Sequence, residues 1–235
     1  MSISLVCIPF AGSGAGFYRP WDAIDTAPFD VVPMQLPGRE ERFVDPPHSD
    51  VVTAAKELAP QILDRVPSGP LVLFGHSLGA VVAFETAREL VRSGTDRLVC
   101  LVVSGSPGPW TGRTARATGL ADEEFLTRVV EFAGYRHEAF DDPDMRELLL
   151  PLLRADVAMH EDYRSASGEP LSVPVIALRG DRDSLVDADA VEQWRAATSE
   201  RFVSREIPGG HMYLVDGPAQ LVSVIGPLVA GFGDD

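Results

Sequence analysis

The pattern in the sequence that most clearly indicates chemistry is a serine flanked by glycines. Residues 75–79 read Gly-His-Ser-Leu-Gly; the apolar run 71–74 precedes them and a helix-compatible stretch follows from Ala80 to Leu90. A strand, a G-x-S-x-G turn and a helix in this order place the serine hydroxyl on a sharp turn at the end of a strand, and the glycines permit the close approach of strand and helix. The pattern predicts that Ser77 is a nucleophile; the alternative is an ordinary tight turn.

A serine nucleophile needs a base, and His211 is our candidate. It follows two glycines after the last predicted strand, which places an imidazole in a loop at the edge of the sheet. His76 lies beside the nucleophile, where a packing or turn role is expected. For the other histidines we expect surface or insertion packing: His48, His137 and His160.

The base in turn needs an acid that orients it. The predicted strand 173–179 runs into a polar turn with three aspartates, and sites of open α/β sheets are built at this carboxyl end of the strands. Asp183 is favoured because it lies three residues after a glycine, the spacing of related turns. Asp181 and Asp187 remain open as alternatives.

Acyl transfer also needs donors that face the developing oxyanion. The first is expected to be the backbone N–H of Leu78, and the second to come from the small-residue segment after the first strand, residues 9–16, here called the first loop. Ala11 is the candidate in this loop and Phe10 is the near alternative. Nucleotide binding is disfavoured because the first loop has neither G-x-G-x-x-G followed by a helix nor a Gly-Lys-Ser/Thr ending.

No metal centre is expected. Cys7 and Cys100 lie in β-branched runs, so we predict buried strand residues rather than a disulfide or ligands. The histidines have no short ligand spacing either.

Strand-like and helix-like segments alternate along the chain, which favours an α/β fold with a mostly parallel central sheet flanked by helices. Several predicted strands are apolar throughout, as strands covered on both faces should be. The predicted strands are 4–8, 30–34, 71–74, 98–104, 173–179 and 202–207, and the predicted helices between and after them are 49–66, 79–93, 188–197 and 217–232.

This alternation fails between residues 108 and 170, where helices are predicted at 122–133 and 143–163. A connection of this length usually has a structure and a purpose of its own, so we expect a helical lid over the site. A purely structural insertion is the alternative. Apolar residues of the first helix are expected to line a channel or to pack: Phe125, Leu126, Val129 and Phe132.

The chain of 235 residues suits a single domain, 1–235, that contains this insertion. A net charge of −15 opposes binding to nucleic acid. Pro9 interrupts the apolar start long before the roughly 18 apolar residues of a membrane span, so we expect a cytoplasmic protein that contacts no membrane.

Five segments together resemble the type II thioesterases of the α/β-hydrolase superfamily, discrete enzymes that accompany polyketide and nonribosomal peptide synthases. Two of the segments are Gln35–Arg42 and Leu150–Asp156, and the stretches within them that discriminate inside that superfamily are Leu36-Pro37-Gly38-Arg39 and Leu153-Arg154-Ala155-Asp156. The others are Ile8–Gly12, Phe74–Ala80 and Gly209–Met212. The first loop reads Ala-Gly-Ser-Gly where the family usually has Ala-Gly-Gly-Ser, a departure that touches no triad position.

The resemblance implies an α/β-hydrolase fold with the triad on Ser77, Asp183 and His211. It also implies hydrolysis of acyl thioesters on the phosphopantetheine arm of acyl or peptidyl carrier proteins, which clears aberrant or stalled groups. No cofactor other than the substrate's phosphopantetheine is expected. Docking to an acidic carrier would need local arginines, and the insertion offers Arg113, Arg116, Arg128 and Arg136.

Three alternatives remain open. A carboxylesterase or lipase acting on free small esters would share the fold and the triad. An acyltransferase or cyclase would differ in the nucleophile that reaches the acyl-enzyme. An inactive hydrolase fold serving as a binding module is the non-enzymatic alternative, and the intact triad residues weigh against it.

Overall fold

A six-stranded parallel sheet forms the centre of the protein. The computed structural model describes residues 2–24, 29–134 and 137–232. The strands are β1 (Ile3–Ile8), β2 (Phe29–Pro33), β3 (Leu71–His76), β4 (Leu98–Ser104), β5 (Val175–Gly180) and β6 (Phe202–Ile207). Their order is β2-β1-β3-β4-β5-β6, and each neighbouring pair is parallel. The predicted α/β class with a parallel central sheet is confirmed.

Both faces of the sheet are covered, which explains the continuous apolar strands. In β3, Leu71 and Leu73 belong to one hydrophobic cluster, whereas Val72 and Phe74 belong to another on the opposite face. Side chains alternate between the faces of a strand, so a strand buried on both sides must be apolar at every position.

Helices cover the first cluster on one face and the second on the other. The first cluster includes residues of α1 (Val51–Arg65) and α2 (Leu78–Arg92), and the second includes residues of α7 (Pro218–Ala230). Asp50 is the N-cap of α1, and its carboxylate accepts a hydrogen bond from the Thr53 amide at 2.7 Å.

The predicted helix over 188–197 is only half α-helical. α5 (Ala188–Glu192) continues as a 3-10 helix over Gln193–Ala197. A short helix that the sequence did not predict, α6 (Tyr213–Asp216), precedes α7. Gly217 separates the two, and Pro218 is the first residue of α7, a position that suits proline.

The insertion between β4 and β5 contains the two predicted helices, α3 (Asp122–Ala133) and α4 (Pro143–Glu161). Asp142 is the N-cap of α4, and its side chain accepts from the amides of Asp144 and Met145. The insertion has a hydrophobic cluster of its own, formed by Ala117, Phe125, Leu126, Leu150, Leu153 and Val157.

Cys7 and Cys100 are free thiols buried in β1 and β4, as predicted. Burial raises the pKa of both thiols, so they remain protonated and unreactive. Across the described ranges, none of the helices combines the length and the apolar character needed to cross a bilayer.

Candidate active site

Ser77 lies at a strained turn between β3 and α2. Its φ of 53° and ψ of −115° are rare for a residue with a side chain. A Cβ atom on Gly75 would lie 2.0 Å from the Gly79 carbonyl oxygen, and one on Gly79 would lie 2.5 Å from the Ile8 carbonyl oxygen. The two glycines therefore permit the contact between strand, turn and helix that gives Ser77 this backbone, as the sequence pattern indicates.

His211 and Asp183 form a buried hydrogen-bonded pair. Nδ1 of His211 lies 2.8 Å from Oδ2 of Asp183, and the other carboxylate oxygen accepts from the amides of Leu185 and Val186 at 2.9 and 3.0 Å. Burial alone would raise the pKa of Asp183, but the hydrogen bond and charge of His211, with the two amides, leave it lowered. An ionised Asp183 accepts from Nδ1–H and leaves Nε2 able to accept a proton.

The other two acids of the turn have structural partners. Asp181 accepts from the Gly209 amide at 2.8 Å, and Asp187 caps α5 by accepting from the Ala190 amide at 2.8 Å. Asp183 is thus the one of the three alternatives that contacts the predicted base.

Ser77 and His211 meet at one cavity of about 320 Å³. Ser77 follows β3, Asp183 follows β5 and His211 follows β6, so parallel strands bring all three to the same edge of the sheet. No hydrogen bond joins the Ser77 hydroxyl to the His211 ring among the described residues. Catalytic hydrogen bonds are often long before substrate binds.

The predicted oxyanion donors flank Ser77. The helix N-terminus supplies Leu78, and the first loop supplies Ala11, which lines the same cavity as Ser77. Within the described ranges, neither the Leu78 nor the Ala11 amide donates to an acceptor in the chain. Free amide donors at a helix N-terminus and in a neighbouring loop are what an oxyanion requires. Phe10 lines the cavity too, so the choice between Phe10 and Ala11 stays open.

Three other amides of the first loop donate to side chains of distant segments. Gly12 N–H donates to Asp156 at 2.8 Å, Ala15 N–H to Gln35 at 3.1 Å, and Gly16 N–H to the Glu40 carboxylate at 3.0 and 3.1 Å. Phosphate-binding loops use free amides. Carboxylates accept from two of the first-loop amides, those of Gly12 and Gly16, so these two amides face negative charge within the chain.

The cavity walls are mainly apolar and come largely from the insertion. Of the four apolar residues singled out in the sequence, Leu126, Val129 and Phe132 line the cavity. Phe125 does not; it is buried in the insertion's own cluster, with the Arg154 guanidinium 4.2 Å from its ring centre. An apolar cavity that ends at a nucleophile suits an acyl chain.

His76 packs against the base, as a buried neutral ring. Its ring centre is 4.9 Å from that of His211, and Nδ1 is 2.7 Å from the Ser104 hydroxyl, which in turn is 2.6 Å from the Tyr213 hydroxyl. Burial, with His211 and His160 nearby, lowers the pKa of His76 well below its usual range. The packing role predicted for His76 thus comes with a hydrogen-bonded chain that no sequence pattern indicates.

The arginines of the insertion have partners within the chain. Arg116 pairs with Asp162 at 2.6 Å, Arg128 lies 3.4 Å from Glu131, and Arg113 lies 3.4 Å from a His160 ring nitrogen. Arg136 lies outside the described residues. A search of the described residues finds no cluster of three His, Cys, Asp or Glu side chains arranged to hold a metal ion.

A family model described as a thioesterase domain matches residues 4–229. The thioesterase PikA5 of Streptomyces venezuelae is 34% identical over 215 residues, 92% of this chain and 76% of that protein. A Brevibacillus parabrevis protein named linear gramicidin dehydrogenase LgrE is 34% identical over 227 residues, 95% of this chain and 86% of that protein. A solved structure, the type II thioesterase BorB from the borrelidin biosynthetic cluster, superposes with a TM-score of 0.83 at 32% identity, covering 98% and 92% of the two chains.

Proposed function

Because this chain belongs to the thioesterase family, we propose that it hydrolyses acyl thioesters on the phosphopantetheine arm of acyl or peptidyl carrier proteins. In this role it removes aberrant or stalled acyl groups during polyketide or nonribosomal peptide synthesis, the context in which the family's discrete type II members work. The resemblance to that group extends beyond five short segments to most of the chain.

One observation carries the proposal: a nucleophile turn and a His–Asp pair converge on an apolar cavity. Ser77, His211 and the free amides of Leu78 and Ala11 supply the groups that acyl transfer requires. A thioester is a suitable substrate because its leaving group is a thiolate, which needs little protonation.

Acylation moves one proton from Ser77 to the leaving thiol by way of His211. Nε2 of His211 takes the proton of the Ser77 hydroxyl while Oγ attacks the thioester carbonyl carbon. The amides of Leu78 and Ala11 hold the tetrahedral oxyanion, and Asp183 stabilises the imidazolium. When the intermediate collapses, the carbon–sulfur bond breaks, the pantetheine thiol leaves with the proton of His211, and the acyl group remains on Ser77.

Deacylation repeats these steps with water as the nucleophile. His211 takes a proton from water, hydroxide adds to the acyl-enzyme, and the ester bond to Ser77 breaks. The serine oxygen recovers its proton from His211, and the free acid leaves. The chain needs no cofactor of its own because phosphopantetheine arrives as part of the substrate.

Residues 108–170 serve in this proposal as the lid of a single domain. α3 and α4 supply much of the apolar wall, including Leu126, Val129 and Leu153, so they select the acyl group and exclude bulk water. The two buried thiols, Cys7 and Cys100, suit a cytoplasmic enzyme whose partners are cytoplasmic carrier proteins.

The test compares acyl release from a carrier protein loaded with an acyl-phosphopantetheine and from a simple ester with the same acyl group. Wild type is expected to favour the carrier-bound thioester, and Ser77→Ala to lose the release on both substrates while it folds normally. Ser223→Ala, an exposed position on α7, is the matched control and should behave like wild type.

Turnover confined to the free ester would replace the proposal with a carboxylesterase. Undiminished release by Ser77→Ala would remove the serine mechanism. Transfer of the acyl group to an added amine or alcohol in preference to water would indicate an acyltransferase or cyclase.

A further inference from the structure

Two segments that resemble family motifs, residues 36–39 and 153–156, meet in one buried ion pair. Nη1 of Arg39 lies 2.8 Å from one Asp156 carboxylate oxygen, and Nη2 lies 2.8 Å from the other. Both side chains are almost fully enclosed, with exposed fractions of 5% and 0%. This parallel arrangement of two charge-assisted hydrogen bonds fixes the relative position of the groups.

The same ion pair holds the first loop. The Asp156 oxygen that faces Nη1 also accepts from the Gly12 amide at 2.8 Å, and Nη1 of Arg39 donates to the Ser13 carbonyl at 2.9 Å. Gly12 N–H belongs to the peptide plane that starts at Ala11. Because that plane is rigid, the bond from Gly12 to Asp156 restricts rotation about the Cα–C bond of Ala11. This limits how the Ala11 N–H, on the other side of the same Cα, can be oriented.

We propose that Arg39 and Asp156 are positioning residues that align the Ala11 amide for the oxyanion when α4 is docked on the first loop. The inference rests on the proposed function, since it assigns a task to the ion pair within that reaction. Neither residue touches the reacting atoms; both act through the backbone of the first loop.

The position of Asp156 on α4 links this alignment to the acyl cavity. Leu153, one turn before Asp156, lines the cavity, and its Cδ1 would lie 3.1 Å from a Cβ on Gly12. A single turn of α4 therefore contacts both the acyl space and the loop with the second oxyanion donor. Movement of α4 away from the sheet would both enlarge the cavity and break the bond between the Gly12 amide and Asp156.

Stability of the fold alone does not explain why two charges are buried here. A buried ion pair gains little over apolar residues of similar volume, because both charges lose their hydration. The first loop has other anchors as well, at Gln35 and Glu40. The directional bonds to Gly12 and Ser13 are what apolar residues could not supply.

The chain offers a matched control on the same helix. Glu161 is also fully buried on α4, accepts from the amides of Ala117 and Thr118 at 2.6 and 3.1 Å, and lies 3.5 Å from Arg116. It anchors a loop of the insertion instead of the first loop. Glu161→Gln therefore removes a comparable buried carboxylate while it leaves the oxyanion donors unchanged.

The experiment measures kcat and KM on an acyl-pantetheine thioester, and the Ki of a trifluoromethyl ketone with the same acyl chain. This ketone adds to the catalytic serine and places an oxyanion at the donors. In Asp156→Asn, the remaining oxygen can still accept from Gly12 and from Nη1 of Arg39, but the NH₂ group faces the Nη2 donor. The parallel pair that fixes the side chain is then broken, and its hold on Gly12 loosens. We expect its kcat to fall about 10- to 100-fold, toward the effect of losing one oxyanion donor. Ki should rise by the same factor while KM stays nearly constant.

Calorimetry and near-UV circular dichroism give the folded fraction, so kcat is expressed per folded enzyme. Glu161→Gln should keep the wild-type kcat and Ki even where its Tm falls. A wild-type kcat and Ki for Asp156→Asn would overturn the inference. Failure of wild type to release the acyl group would instead contradict the proposed function, so the two failures are distinguishable.

A double variant, Arg39→Met with Asp156→Leu, separates alignment from stability. Apolar pairs often replace buried ion pairs without loss of stability. The inference expects a folded protein with a Tm near wild type and a kcat still reduced. Recovery of both Tm and kcat would show that the ion pair serves stability alone. If the double variant does not fold, the kcat and Ki of Asp156→Asn decide whether the ion pair aligns the first loop.

Discussion

Asp183 uses one carboxylate oxygen for His211 and the other for two backbone amides. Asp183→Asn can keep the amide bonds, but its NH₂ group then faces Nδ1 of His211. The ring must place its proton on Nε2 and cannot accept one from Ser77. We expect kcat to fall about 10³- to 10⁴-fold with little change in fold, as for the acid of other triads. Steady-state kinetics on an acyl-pantetheine thioester measure this fall in kcat.

Asp181→Asn is the matched control because its partner is a backbone donor. Asp181 accepts from the Gly209 amide, and an asparagine carbonyl accepts the same bond. Its kcat should stay close to wild type. A large loss in Asp181→Asn together with normal activity in Asp183→Asn would move the acid to Asp181.

At the residue scale, the sequence indicates groups whose role depends on a local turn. Ser77 and His211 are recognisable because glycines beside them give the backbone an unusual path. The acid is harder, since three aspartates share one turn and only their contacts separate them. The ion pair of Arg39 and Asp156, 117 residues apart, cannot be predicted from local spacing, because it forms only where the fold brings two distant segments together.

At the scale of elements, the turn between β3 and α2 has no room for an added methyl group. In Gly75→Ala the new Cβ would lie 2.0 Å from the Gly79 carbonyl oxygen, so the strand and the helix must separate. Overpacking of this kind costs about 1–3 kcal/mol or more in the free energy of unfolding. Gly168→Ala meets nothing within 4 Å and should stay within about 0.5 kcal/mol of wild type.

Urea unfolding of the three proteins checks this prediction. Acyl release should fall more in Gly75→Ala than loss of folded protein explains, because the turn also sets the backbone of Ser77. Equal stability of the two alanine variants would mean that the turn relaxes without cost, contrary to the expected contact between strand and helix.

The elements were largely predictable because the physical demands on them are local. A strand buried on both faces must be apolar at each position, and the run 71–74 within β3 is such a stretch. α6 has four residues, too few for a helical period to be visible, so the sequence does not indicate it. The change from α-helix to 3-10 helix after Glu192 depends on packing and leaves no local signal either.

At the scale of the whole molecule, two buried imidazoles make stability depend on pH. Burial, with His211 near His76 and Arg113 near His160, lowers the pKa of both rings well below 6.5. The unfolded chain therefore binds more protons below pH 6.5 than the folded protein does. The stabilisation is complete above that pH and is lost as the pH falls, by up to about 1.4 kcal/mol per pH unit for each ring.

The free energy of unfolding in urea, measured between pH 7.5 and 5, tests this dependence. His160→Gln removes one of the two groups, so its stability should fall less steeply with decreasing pH than that of wild type. His137→Gln, an exposed position, is the control and should keep the wild-type slope. Parallel slopes for wild type and His160→Gln would show that His160 binds protons in the folded protein as it does in the unfolded chain, contrary to the expected lowering of its pKa.

The order of the strands is the part of the architecture that the sequence did not supply. Alternating strands and helices predict a parallel sheet, but β1 lies between β2 and β3 because of contacts between distant segments. That order decides which loops are neighbours, and hence that the first loop lies beside Ser77.

The insertion leaves the sheet after β4 and returns before β5, while the proposed reacting groups follow β1, β3, β5 and β6. Chemistry and acyl selection are thus encoded in separable stretches of the gene. An exchange of residues 108–170 between relatives should transfer acyl preference without rebuilding the triad. The exchanged stretch must, however, carry an acid equivalent to Asp156. Without that acid, Arg39 of the rest of the chain would be a buried cation with no opposite charge beside it.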